Sequence, residues 1–422
     1  MAGEVGVPPA GGIGKVTRRA LLPLGTGKLR WSNNRSIGRP VSRRAAPSRP
    51  WPDCAVPSAA VHAHRVNRSA TKAVNGGATM VEPLYVPVLP MRRGPLAAYS
   101  RLAPFLQAAV SPLWTIPLRT NPAGPPGPPG AVVAAQRATP AWVDARHLEG
   151  APRAVTEGLW PYLLHTPLRP VTGPGRPDWQ QSGCADFARA CGNGLGLRVR
   201  AAEASTEQGA EEVRRLVERL AGPDLARDLP VDLLLDLEAV TEEDHQADKC
   251  ALRALELLGP LTRWRSIVLL AGSFPPTTPE PSGWGPIEAQ RHDWDVWHMV
   301  RHARPELPVE VTYGDYGAHH AFAADAGAGG GAPWGVLRYT TDRTFLLAKA
   351  PTIGDGHAEE VREIARRMIA EPEFRGAGFS EGDRWLHACA TGTGTPGVGN
   401  AESWIRAGHS QHLAYAAWRL SA

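Results

Sequence analysis

Two runs near the carboxyl third decide how this chain reads. The first is Val309-Glu310-Val311-Thr312-Tyr313-Gly314-Asp315-Tyr316-Gly317. The second, beyond a Gly/Ala-rich bridge, is Trp334-Gly335-Val336-Leu337-Arg338-Tyr339-Thr340-Thr341-Asp342-Arg343-Thr344-Phe345-Leu346-Leu347-Ala348-Lys349. The first is β-branched and ends in an acid, Asp315, with glycines close by on both sides. The second carries Arg338 inside an otherwise apolar strand, and Asp342-Arg343 has the composition of its hairpin turn.

Upstream of Asp315 the chain alternates short apolar runs with amphipathic segments. Strands are expected at 84–89, 113–118, 141–145, 168–172, 197–201, 231–237, 266–271 and 309–313. Helices are expected at 96–109, 131–137, 154–165, 179–191, 211–220, 244–258 and 287–300. The strand runs are continuously apolar rather than alternating, as buried parallel strands are. Eight such units in about 240 residues match a (β/α)8 TIM-like barrel. A doubly wound open sheet would show the same alternation. The chain lacks both Gly-x-Gly-x-x-Gly after its first strand and a phosphate loop ending in Lys-Ser/Thr, so the barrel is the expected α/β architecture. The barrel would span about 83–316. The hairpin, a helix at 358–370 and the tail would form an appended extension over about 317–422, all in one domain from 80 to 422.

Residues 1–80 differ in kind. They hold 13 Lys/Arg against Glu4 and Asp53, a net +11, whereas the whole chain carries +5, so residues 81–422 are net acidic. The basic pI therefore belongs to the leader and is no argument that the folded body binds nucleic acid. Residues 1–79 are rich in Pro and Gly, lack a sustained period and cannot offset their ordering entropy. They read as a disordered basic leader, a start-site artefact upstream of Met80. No run of about 18 apolar residues marks a membrane span. Five cysteines, an odd number without Cys-x-x-Cys, suit the reduced thiols of a cytoplasmic protein.

Several segments resemble one family in their order and spacing. They are Tyr85-Val86-Pro87-Val88-Leu89, Trp264-Arg265-Ser266 leading to Ala271-Gly272-Ser273-Phe274-Pro275, Gly314-Asp315-Tyr316-Gly317 and Arg338-Tyr339-Thr340. The tail adds Gly382-Asp383-Arg384-Trp385, Gly399-Asn400, Trp404-Ile405-Arg406 and the run from His409 to Leu413. Together they resemble the beta family proteins, named for a protein of T-even bacteriophages and found widely in bacteria. Arg92-Arg93-Gly94-Pro95 departs from the Lys-x-Gly-Glu that usually follows the family's first strand. The resemblance covers about 83–420 and implies a phage-related context; it implies no reaction and no cofactor.

In a (β/α)8 barrel the working groups stand at the carboxyl ends of strands. There the chain places Arg92, Arg93, Arg119, Asp144 with Arg146, Arg198 with Arg200, Asp236 with Glu238, Ser273, and Asp315 with Tyr316. An enzyme reading makes Asp144, Asp236 and Asp315 the acid–base groups. Arg198, Arg200, Arg338, Tyr316 and Asp383 would then hold a small anionic, phosphorylated or carboxylated, ligand. Arg338 is expected to face Asp315 or Asp383. The bland reading makes the same residues structural ion pairs, with Asp315 in an Asx turn. His292, Asp295, His298, His302, His319 and His320 form no His-Glu-x-x-His, so no metal site is expected. His409 and His412 are placed to cap the barrel mouth. The alternative to an enzyme is a non-catalytic, phage-related or phage-defence interaction protein. The chain sets no oligomeric state.

Overall fold

The computed structural model describes residues 83–117, 132–133, 135–136, 139–150, 153–221, 229–276, 286–322, 334–393 and 397–422. The leader, Arg119 and the Gly/Ala-rich bridge lie outside them. Eight parallel strands pair in a closed ring: β1 (Tyr85–Pro90), β2 (Leu113–Thr115), β3 (Ala141–Asp144), β4 (Leu168–Thr172), β5 (Leu195–Arg200), β6 (Val231–Ala239), β7 (Ser266–Gly272) and β9 (Val311–Asp315). The ring closes where Tyr85, Val86 and Pro87 of β1 meet Tyr313, Gly314 and Asp315 of β9. Gly314 faces a crowded lumen: a Cβ there would stand 2.5 Å from a Leu270 methyl and 2.8 Å from the Val86 carbonyl.

The lumen is filled, as a barrel of eight strands requires. Val86, Val88, Leu113, Trp142, Val171, Leu234, Val268 and Leu270 form one apolar cluster inside it, with Tyr316 and Ala321. Along β6 the period of two puts Asp232, Leu234 and Asp236 on one face. Asp232 is sealed at the amino-terminal end by Arg169, Arg265, Ser266 and the Trp142 indole N–H. Such a cluster at the bottom of a barrel serves stability.

Between β7 and β9 stands an additional strand, β8 (Ile287–Gln290), which pairs antiparallel with β11 (Thr344–Pro351), itself the partner of β10 (Trp334–Thr340). This corrects the expected helix at 287–300. Exposure alternates along Ile287-Glu288-Ala289-Gln290, and α6 (His292–Ala303) begins only after Arg291, whose N–H goes to the Arg343 carbonyl. Two more expected helices are broken, each near a proline or glycine. Residues 96–109 form α1 (Arg93–Ser100) and α2 (Pro104–Ala109), with Pro104 opening the second. Residues 154–165 form two single turns, Arg153–Glu157 and Trp160–Leu163, around Gly158 and Pro161. The outer helices α3 (Asp178–Cys191), α4 (Glu207–Ala221) and α5 (Ala247–Leu258) follow their strands as expected.

The extension packs a second core under the hairpin sheet, from Leu337, Tyr339 and Leu346 to Met368 of α7 (His357–Ala370), Leu386 of α8 (Glu381–Thr391) and Trp404 of α9 (Ala401–Ser421). Asn400 and Ser403 cap α9 reciprocally. The helix then buries its middle on all sides, polar groups included: Gln411 donates to the Thr340 carbonyl and accepts from its N–H, both at 2.8 Å, satisfying the edge of β10. Helices α8 and α9 cross at Gly382, where a Cβ would stand 2.1 Å from the Ala407 carbonyl oxygen. Gly382→Ala is accordingly expected to lower stability by about 1–3 kcal/mol through overpacking. The shift in denaturant midpoint measures it, and an unchanged midpoint would show that the crossing is looser than this.

Candidate functional site

Asp144 ends β3, Arg198 lies in β5, Asp236 in β6, and Tyr316 follows β9. The ring brings these four to one level at the carboxyl-terminal mouth, each no more than 7% exposed. The Arg198 guanidinium donates from Nε to Asp236 (2.8 Å), from Nη1 to Asp144 (2.9 Å) and from Nη2 to the Tyr316 hydroxyl (2.7 Å). Tyr316 in turn donates to the Asp236 carboxylate at 2.8 Å. Asp144 also accepts from Arg176 (2.8 Å) and from the Arg146 N–H (2.9 Å).

Burial alone would raise the Asp144 carboxyl, but Arg176 and Arg198 outweigh it and hold the group well below the usual carboxylate range. Burial pushes the Tyr316 phenol well up, so it stays protonated at neutral pH. Arg198 is desolvated too, yet its acceptors keep it firmly charged.

Above this layer, Glu238 takes φ = +59°, a left-handed conformation uncommon outside glycine, at the register shift that follows Asp236. Its N–H caps Asp236 (2.9 Å), and its carboxylate points between Arg200 (3.1 Å) and Arg146 (3.9 Å). Arg200 itself is half-exposed and points outward, bound to Glu203 and Glu238. Over the four-residue layer lies a mouth cavity whose polar lining includes Arg146, His147, Arg198, Tyr316 and His319, roofed by Ala321 and Phe322. Its volume is about 10 Å³, room for one water at most.

Asp315 belongs to a neighbouring network. It accepts from the Tyr85 hydroxyl (2.6 Å), the Tyr313 hydroxyl (3.0 Å) and the Gly317 N–H (2.8 Å), and it lies 2.8 Å from His412 Nε2. The Gly317 bond is the Asx turn, made with φ = +63° at that glycine. His412 comes from α9, and its Nδ1 meets Thr340 of the hairpin (2.9 Å). Tyr313 extends the chain to Asp293 of α6 and to Arg291. Burial opposes the Asp315 charge, but His412, Tyr85 and Arg291 lower its pKa to about 2. The network ties barrel, hairpin and tail together over the mouth.

Arg338 departs from expectation. It faces neither Asp315 nor Asp383, and among the described residues no carboxylate pairs with it. Nη1 donates to the Ala318 carbonyl (2.6 Å), Nη2 reaches the Val336 carbonyl (3.5 Å), the guanidinium lies over Phe274, and Nε is buried without a partner. Its place is beside His319 and His409, because the stem runs flat across α9 at Gly408 and the turn at Gly317 admits the His409 ring. Asp383 is elsewhere: it sits in the first turn of α8, bonded to Ser380 and Tyr339.

Sequence reasoning passed over Asp232, Arg169, Arg176, Arg291, Asp293, Tyr85 and Tyr313. For Asp232 the signal was present, since Asp232-x-Leu234-x-Asp236 is a strand with period two. Tyr85, Arg291 and Tyr313 come together only through the ring closure and the hairpin. No group of three or more His, Cys, Asp or Glu able to hold a metal ion lies among the described residues.

The model of the Beta protein family matches residues 85–417. The chain belongs to that family. The match takes in every strand of the barrel and most of the extension, so the mouth layer and the α9 network both lie within the matched residues. No curated protein matches the chain.

Proposed function

We propose that this Beta protein family member is a cytoplasmic barrel enzyme that binds a small anionic ligand at the carboxyl ends of its strands. The observation that carries the reading is the convergence of Asp144, Arg198, Asp236 and Tyr316 from four strands beneath a lining of Arg146 and His319. Arg146 is the accessible cation of the set, with a quarter of its side chain exposed, and supplies the first contact with the anion. Tyr316 is a protonated phenol already donating to Asp236. Turned toward a ligand it donates that hydrogen bond to the anion, leaving Asp236 held by Arg198. Four of the five cysteines are described and all four are free thiols, in keeping with a reducing compartment. Among the described residues no helix is long and apolar enough to cross a membrane.

A second reading has its own support. The cavity holds no more than one water, Arg198 is saturated by its partners and α9 covers the mouth, as in a phage-related interaction protein whose rim is only a scaffold. Native mass spectrometry of the full chain against phosphorylated and carboxylated metabolites separates the two. The enzyme reading expects a retained anion whose affinity falls tenfold or more in Arg146→Met, with the fold intact because that side chain is part-exposed and its ion pair with Glu238 is long, at 3.9 Å. If every anion of the panel passes unretained, the enzyme reading falls.

A further inference from the structure

A second cavity lies away from the mouth, on the flank where the turn between α1 and α2 meets α8 and α9. Its volume is about 540 Å³, against about 10 Å³ at the mouth. That is within the range of clefts that hold small molecules. Leu102 and Leu106 line it from the barrel side, Phe379 and Ala414 from the extension. These four side chains give the cleft an apolar surface.

The charged groups of the cleft are Arg101, Glu381 and Arg384. Glu381 is already engaged: Arg101 donates to it at 2.9 Å and the Ser410 hydroxyl at 3.1 Å, and Arg406 stands 3.6 Å away. Arg384, one turn further along α8, is exposed and has no partner among the described residues. Three guanidinium groups thus face a single carboxylate. On open surface a free arginine is simply solvated. Here it borders an apolar cleft with room for a ligand.

We propose that this cleft binds a small monocarboxylic acid with an apolar body, its carboxylate on Arg384 and its body against Leu102, Leu106 and Phe379. The planar guanidinium fork matches a planar carboxylate with two parallel hydrogen bonds. A doubly charged phosphate is disfavoured, because it would meet the Glu381 charge beside the same arginines. The apolar body gains affinity by leaving water, roughly fourfold for each methylene buried. Residues 1–80, with 13 Lys/Arg against Glu4 and Asp53, do not complement these arginines, so the chain's own basic segment is no occupant. The site is separate from the mouth and does not rest on the reading of it.

Isothermal titration of the full chain with octanoate, kept below its micelle threshold, tests this. Wild type should bind saturably at a single site. Hexanoate should bind roughly tenfold more weakly, octan-1-ol at least tenfold more weakly for want of the charge, and acetate without saturation. Arg384→Met should lose tenfold or more in octanoate affinity at an unchanged melting temperature, since that side chain is exposed and unpaired. Ala103→Trp, at a part-exposed position on the cleft, should fill it and abolish binding; should that variant fold poorly, Arg384→Met decides alone. No saturable binding of octanoate, or equal affinity in wild type and Arg384→Met, overturns the site. Octanoate binding lost in Arg146→Met but kept in Arg384→Met puts the acid at the mouth and overturns it too. An acidic peptide that binds through Arg384 where octanoate does not would make the cleft a protein-docking surface and overturn the small-molecule occupant.

Discussion

Replacing Arg198 by methionine is expected to cost the fold about 3–5 kcal/mol, because it strands buried carboxylates without removing them. Asp236 would keep only Tyr316 and the Glu238 N–H, and Asp144 only Arg176 and the Arg146 N–H. The double change Arg198→Met, Asp236→Asn should recover most of the loss, since Asp144 keeps the Arg176 guanidinium and no buried carboxylate is left without a cation. Urea unfolding of the three proteins measures this directly. A loss below about 1 kcal/mol for Arg198→Met would mean that water reaches the layer readily. The mouth would then be open in solution, contrary to its cavity of about 10 Å³.

The second large effect is on acid stability. His319 and His409 have folded pKa values below the unfolded value, about 3 for His319. Below pH about 6.5 the unfolded chain therefore binds protons that the folded chain refuses. Their stabilisation is present above that pH and drains away as the pH falls toward the folded values. Between pH 6.5 and 4.5 the loss is about 2 kcal/mol for His319, and His409 adds to it with the same sign. Asp315, lowered to about 2, has the opposite bookkeeping sign for charge yet the same direction in pH. Its contribution is lost only below the unfolded value near 4, so acid should act in two stages. In phosphate-free buffer the denaturant midpoint should fall between pH 7 and 5, and His409→Asn should flatten that slope. A midpoint constant over this range would show that both imidazoles protonate freely in the folded state.

How much of this was legible in the sequence depended on the range of the interaction. Each strand of the barrel announced itself locally, because a buried parallel strand is a continuous apolar run and its neighbours are the next units along the chain. The mouth layer followed from the same logic: once the strands are known, Asp144, Arg198, Asp236 and Tyr316 must gather at their ends. What failed needed partners far away in the chain. Ile287–Gln290 joined β11 and not the helix after it, because an exposed edge was waiting some sixty residues downstream. For Arg338 the principle that buried charges pair predicts an acid, and the fold instead gives it two backbone carbonyls and a phenyl face, all set by the hairpin and the turn after β9.

The lock of Tyr85 on His412 spans 327 residues. A ribosome adding 5–20 residues each second takes roughly 15–65 s to cover that distance. For all that time the first strand exists without the helix that covers it, and the ring cannot acquire its final shape from the amino end alone. The nascent barrel therefore waits, without its lock, until α9 has been made. A protein arranged in this way is vulnerable to any event that shortens its message, since a product that stops before α9 would carry every strand of the barrel without the helix that locks its mouth. Such a fragment is a natural substrate for quality-control proteases, and synthesis and surveillance would meet at the same helix.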